Sequence, residues 1–139
     1  MNGDIVLVDA GPVVAFLIRD DAHHPWAKEQ FAHAHPPLLT CEPVLSEACH
    51  VANRLGGDAI KVMELMEKKV LEVAFTMEDH IPELLALMRR YRDVPMSLAD
   101  ACLVRMSELH RRCHVMTTDS DFRLYRRNAR QVIPLLAPW

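Results

Sequence analysis

IVLVDAGPVVAFL, residues 5–17, decides the fold. Ile5 to Val8 form an apolar, mostly β-branched run with no polar alternation. That pattern suits a strand covered on both faces in a parallel sheet. Gly11-Pro12 interrupts the run, and Pro fits the first turn of a helix. A strand over 5–9 followed by a short helix from Val13 is therefore expected. One carboxylate, Asp9, stands in the middle of this apolar stretch. A buried ionised carboxylate is costly unless it is neutralised, paired or bound to a cation, so Asp9 needs a reason.

The same alternation continues along the chain. Helices are expected over 23–35, 42–55, 58–69, 77–92 and 97–112, and strands over 38–41, 70–75 and 114–119. A short helix in DFRLYRR (121–127) and a last strand in QVIPLL complete the chain. Pro36-Pro37, Gly56-Gly57 and Pro95 punctuate it. Thr76 and Asp79 read as a capping box for the helix at 77–92. Alternating strands and helices predict a three-layer α/β/α arrangement around a central, mostly parallel sheet, as one domain over 1–139. In such sheets ligands gather beyond the carboxyl ends of the strands. Asp9 and Asp119 each end an expected strand, so the two carboxylates converge on one edge.

Composition narrows the class. The 139 residues are 50% hydrophobic and 25% charged, ordinary for a domain with a sizeable core. Cys41, Cys49, Cys102 and Cys113 show no CxxC spacing and read as reduced thiols. Asp4 and Asp9 break the pattern of a signal peptide, and no apolar run is long enough for a membrane span. A cytoplasmic location is expected. The formal net charge of −3 hides an asymmetry: residues 1–100 carry 9 Lys and Arg against 16 Asp and Glu, residues 101–139 carry 7 Arg against 3 acids. Arg forks suit phosphate, although a basic helix face is also an ordinary solvated surface.

Two further acids lie at the borders of apolar helix faces. At about 100° per residue, Glu47 falls beside Val51 at the edge of one apolar arc, and Asp100 beyond Leu103 at the edge of another. Each has a plain reading. Ser97 and Asp100 fit a capping box, Asp119 fits a helix N-cap, and Glu47 fits an exposed helix acid. Together the four acids say more. Clustered carboxylates repel and raise one another's pKa, so they call for a cation, and oxygen ligands suit Mg²⁺ or Mn²⁺. Such sites support in-line phosphoryl displacement, and an Arg-rich flank would hold a phosphate backbone.

VDAGPVVAFL, EPVLSEA, MSLADA (96–101) and MTTDSDF (116–122), in this order and spacing, resemble the PIN domain of the small bacterial and archaeal VapC-like kind. The resemblance covers essentially the whole chain. It implies a Mg²⁺- or Mn²⁺-dependent ribonuclease, usually a homodimer, often the toxin of a type II toxin–antitoxin pair with a cognate antitoxin protein. It implies an acidic catalytic site of Asp9, Glu47, Asp100 and Asp119. Metal ligation would fall to Asp9, Asp100, Asp119 and, through water, Asp121. Ser97 and Thr118 match assisting polar positions. The Ser or Thr common after the first acid is absent, since Ala10-Gly11-Pro12 follows Asp9. Arg123, Arg126 and Arg127 are candidates for the RNA backbone. Trp26, Tyr91, Phe122, Tyr125 and Trp139 are candidates for base stacking.

The rival readings fare less well. Cys41, Cys49 and His50 lack zinc-finger spacing and no HExxH occurs. A phosphorylated-Asp enzyme of the haloacid dehalogenase type would carry a second Asp where Gly11 stands. A receiver domain would carry paired acids after the first strand and a Lys ending a late one. A PIN-like module that binds RNA or protein without cutting is the rival of another class, as is a non-toxin RNA-processing nuclease. Met63, Met66 and the apolar helices at 42–69 could supply a dimer or antitoxin face.

Overall fold

A computed structural model describes residues 3–139. Five strands form one parallel sheet: β1 (Ile5–Val8), β2 (Leu38–Thr40), β3 (Leu71–Val73), β4 (Cys113–Met116) and β7 (Leu135–Leu136), in the order β3-β2-β1-β4-β7. Central strand β1 is buried over Val6–Val8, as its unbroken apolar run demands. It pairs with β4 from Ile5↔Cys113 to Val8↔Met116 and with β2 at Leu7↔Leu39. The chain leaves β1 towards β2 and β3 and later returns to β4 on the other side. Strand order reverses between β1 and β4, and that is where an open α/β sheet leaves a crevice at its carboxyl edge.

Helices α1 (Ala10–Leu17), α2 (His24–His33), α3 (Glu42–Arg54), α4 (Ala59–Glu67), α5 (Ile81–Arg90) and α6 (Leu98–Leu109) cover the sheet. Most of α6 is buried, and Ala101 to Val104 are fully enclosed. All four cysteines are free. No helix among the described residues is long and apolar enough to cross a membrane.

Four local expectations change. Helix α1 begins at Ala10, so Gly11-Pro12 lies inside its first turn, where the missing Pro N–H costs nothing. Thr76 makes no side-chain cap; a 3-10 turn over Met77–His80 precedes α5 instead, with Pro82 in the first turn of that helix. The expected helix at 121–127 shrinks to a 3-10 turn over Ser120–Arg123. Phe122 and Tyr125 are both drawn fully into the core, and the Arg126 N–H donates to the Tyr91 hydroxyl (2.9 Å) and not to a helical carbonyl. Arg126–Arg127 then forms strand β5, antiparallel to β6 (Gln131–Val132). The single last strand is divided accordingly. Buried Ile133 and half-buried Pro134 separate β6 from β7, and only β7 joins the main sheet.

Candidate active site

Asp9 follows β1 directly and caps α1. Its Oδ1 accepts from the Ala10 N–H at 2.8 Å, and its Oδ2 accepts from the Thr117 hydroxyl at 2.7 Å. The residue is only 6% exposed. Burial drives its pKa from 3.8 up to about 7; the two hydrogen bonds oppose the rise, and the charges of Asp100 and Glu47 add to it. No cationic side chain among the described residues offsets that burial.

Asp119 lies three residues beyond β4 and not at its end, as the N-cap of the 3-10 turn, with Oδ1 accepting from the Asp121 N–H at 2.9 Å. Thr117 joins this residue to Asp9. Its hydroxyl accepts from the Asp119 N–H at 3.0 Å while donating to Asp9, and it is fully buried. The sequence reading selected Thr118 and missed Thr117. Both precede Asp119, and strand alternation, which turns neighbouring side chains to opposite faces, was the available clue.

Asp100 sits in the first turn of α6. The capping box expected there is real: the Asp100 N–H donates to Ser97 Oγ (3.0 Å) and the Ser97 N–H to Asp100 Oδ2 (3.1 Å). The Tyr125 hydroxyl also donates to Oδ2, at 3.2 Å. Capping and facing the cavity are thus compatible roles for one carboxylate. Burial and the Asp119 charge raise its pKa, against the hydrogen bonds from Ser97 and Tyr125. Tyr125 is pushed up in turn, by burial and by Asp100. Glu47 projects from α3; desolvation first, then Asp100 and Asp119, raise it too.

These four carboxylates, together with Asp21, line one cavity of about 380 Å³ at the β1/β4 crevice, beside Ser97 and Thr118. No Lys or Arg among the described residues lines it. The donor set is oxygen-rich, negative and uncompensated, which fits a hard divalent cation. As the side chains stand, no three His, Cys, Asp or Glu groups among the described residues close around a single point. Asp121 is half-buried and does not line the cavity.

Gly11 makes the close approach of α1 to this edge feasible. A Cβ at Gly11 would collide with Thr118 Oγ1 and meet Thr118 Cβ at 3.4 Å. Ala is the better helix former by roughly 0.5–1 kcal/mol, but an overpacking clash costs about 1–3 kcal/mol. Gly11→Ala is therefore expected to destabilise, and Gly11→Ala with Thr118→Ala to recover most of the loss. Urea unfolding of the four proteins measures this coupling; additive losses would refute it.

The basic residues divide. Arg123 is exposed on the turn that follows Asp119, with its guanidinium 4.6 Å from the centre of the Trp139 ring. Arg126 donates to the carbonyls of Arg123 (2.7 Å) and Tyr125 (3.0 Å). Arg127 is directed elsewhere. Its guanidinium donates to the carbonyls of Ser107 (2.9 Å) and Arg111 (3.0 Å), beside Cys113, at the amino edge of β4 and away from the acidic cavity. It closes the C-terminal end of α6. Of the aromatic candidates, Phe122, Tyr125 and Tyr91 are buried core residues; Trp26 is half-buried and Trp139 exposed.

Comparison with known proteins bears on the fold and the family. A search of curated proteins gave no match. Among solved structures, the fold is similar to that of VapC20 from Mycobacterium tuberculosis, described as a toxin that cleaves the sarcin-ricin loop. The TM-score is 0.75 at 23% identity, covering 84% of this chain and 91% of that one. The family model for the PIN domain matches residues 6–128. The chain belongs to the PIN domain family.

Proposed function

We propose that this protein is a divalent-metal-dependent endoribonuclease, the toxin of a toxin–antitoxin pair. The observation that carries the reading is the cavity at the β1/β4 crevice, walled by Asp9, Glu47, Asp100 and Asp119 and free of Lys and Arg. Asp9, Asp100 and Asp119 would hold Mg²⁺ or Mn²⁺, with Glu47 at the rim and Asp121 behind Asp119. A bound divalent cation supplies charge neutralisation at a phosphodiester and lowers the pKa of water. The chain's own residues supply alignment. Thr117 fixes the Asp9 carboxylate, Ser97 and Tyr125 fix Asp100, and the Asp121 N–H fixes Asp119. Such locked carboxylates bind and orient without reorganising.

Cleavage of a labelled total small-RNA pool, with an isolated sarcin-ricin loop RNA beside it, tests the reading. Cutting in Mn²⁺ or Mg²⁺, its absence in EDTA and its loss in Asp100→Asn are the expected results. RNA binding without cutting by the native protein would favour a binding module. The exposed apolar residues Leu55, Ile60 and Met63 on and after α3 and on α4 offer a surface for a second copy or an antitoxin, and light scattering of the purified protein reports the former.

The basic residues should separate in the same assays. Arg123→Ala is expected to weaken RNA binding and to lower the slope of log K against log salt by about 1. Arg127→Ala should leave that slope unchanged and cost about 1–2 kcal/mol of stability through its lost carbonyl bonds. Equal salt slopes for Arg123→Ala and the native protein would remove Arg123 from the RNA path.

A further inference from the structure

His23 and His24 stand side by side, yet the fold uses them differently. His24 is half-buried, and its Nδ1 lies 2.7 Å from the Ala15 carbonyl, tying the start of α2 to α1. His23 is exposed and lines the acidic cavity. Its backbone is fixed. The His23 N–H donates to Asp21 Oδ1 at 2.8 Å, and the His24 N–H donates to the Asp21 carbonyl at 3.0 Å. The ring lies edge-on to Trp26, at 6.4 Å between centroids. No side-chain hydrogen bond holds the His23 imidazole among the described residues.

The surroundings give this free ring a purpose. The other ionisable side chains lining the cavity are carboxylates. They can bind a cation, but they repel the non-bridging oxygens of a polyanionic substrate. A substrate phosphate entering here meets, beside the Ser97 and Thr118 hydroxyls, one nitrogen-bearing side chain on the wall among the described residues, that of His23. A preset turn with an unengaged donor at its tip is suited to a ligand contact, because the ordering cost falls on the side chain alone.

We propose that His23 is a substrate-contacting residue: its imidazole donates a hydrogen bond to a phosphate oxygen of the bound RNA strand where the α1–α2 turn lines the cavity. The inference rests on the reading of this cavity as a ribonuclease site. It assigns to the α1–α2 turn a part in gripping the strand, separate from the carboxylates.

The test has two arms. In the first, cleavage of a pool-derived RNA is followed at saturating Mn²⁺ for native protein, His23→Ala, His23→Gln and His24→Ala. Loss of one bond to a charged group predicts about a ten- to hundredfold rise in KM for His23→Ala, with kcat changed far less. His23→Gln, which keeps a donor, should recover part of it, and the thermal midpoint should not move because the ring is exposed. His24→Ala should lower the midpoint instead. In the second arm, anisotropy of a fluorescein-labelled single-stranded RNA measures binding in EDTA, independently of cutting. Weaker binding by His23→Ala in a protein that does not cut would sustain the contact while overturning the nuclease reading. Unchanged KM and unchanged binding in His23→Ala would overturn the contact while leaving the nuclease reading intact. A native protein that neither cuts nor binds RNA would overturn both.

Discussion

Asp9→Asn should abolish RNA cleavage and, in the absence of metal, stabilise the fold at alkaline pH. The first half follows from position. Asp9 is the most enclosed of the four carboxylates and would contribute a principal ligand to the cation. Removing its charge should lower cleavage by at least about a thousandfold, corresponding to roughly 4 kcal/mol of lost transition-state stabilisation. The second half follows from burial. The pKa of Asp9 is about 7 in the fold, against 3.8 for an unperturbed group. The folded protein then holds a proton that the unfolded chain has released, so stability falls as pH rises. The contribution of Asp9 is complete below about pH 4, declines between there and about pH 7, and is gone above it. The total is on the order of 4 kcal/mol. Asn has no charge to desolvate and retains an oxygen for the Ala10 N–H. Thermal melts in EDTA from pH 5 to 8.5 measure the effect as the difference between native protein and variant. The native protein should gain on the variant as pH falls. Mn²⁺ at pH 8 should raise the midpoint of the native protein and leave that of Asp9→Asn nearly unmoved. A difference independent of pH would mean that the fold accommodates the ionised carboxylate without a cation.

Thr117→Val carries the second large effect. The fully buried hydroxyl bridges Asp9 Oδ2 and the Asp119 N–H. Val has nearly the same shape, so packing is kept and two polar partners lose their bond. Unsatisfied buried groups cost about 1–3 kcal/mol each. The loss should be about 2 kcal/mol or more, seen as a fall of roughly 5–10 °C in the thermal midpoint. Activity should suffer separately, because the variant frees the Asp9 carboxylate to rotate and loosens the loop that carries Asp119. About a ten- to hundredfold fall in kcat is expected, with Thr117→Ser near native in both respects. A Thr117→Val protein that loses stability but keeps its kcat would make the bridge a matter of folding alone.

Much of this architecture is fixed locally. The apolar run at 5–8 has no exposed face to offer, so it becomes the central strand whatever surrounds it. The acids that follow the strand ends, Asp9 and Asp119, are carried to one sheet edge by the parallel arrangement that the alternating pattern implies. Ser97 and Asp100 form their capping box from residues three apart, which needs no tertiary information. Glu47 is placed by helical periodicity at the edge of a buried face.

Other features depend on contacts between residues far apart in the chain. Thr117 and Thr118 are indistinguishable by type and spacing; the pairing of β4 with β1 turns one towards Asp9 and the other over Gly11. Phe122 and Tyr125 suit a helix or a stacking surface equally well, and only the core into which they pack ends the helix and withdraws them from any ligand. Arg127 belongs by composition with Arg123, but the hairpin of β5 and β6 points it to the carbonyls of α6 at the far edge of the sheet. His23 and His24 are chemically identical, and a single carbonyl, that of Ala15, separates a structural ring from a free one. The sequence by itself determined the buried first strand, the main alternation of strands and helices and the choice of candidate acids, because periodicity and capping are local. Tertiary structure alone decided which polar neighbours meet those acids, because hydrogen-bond partners such as Asp9 and Thr117 lie more than a hundred residues apart.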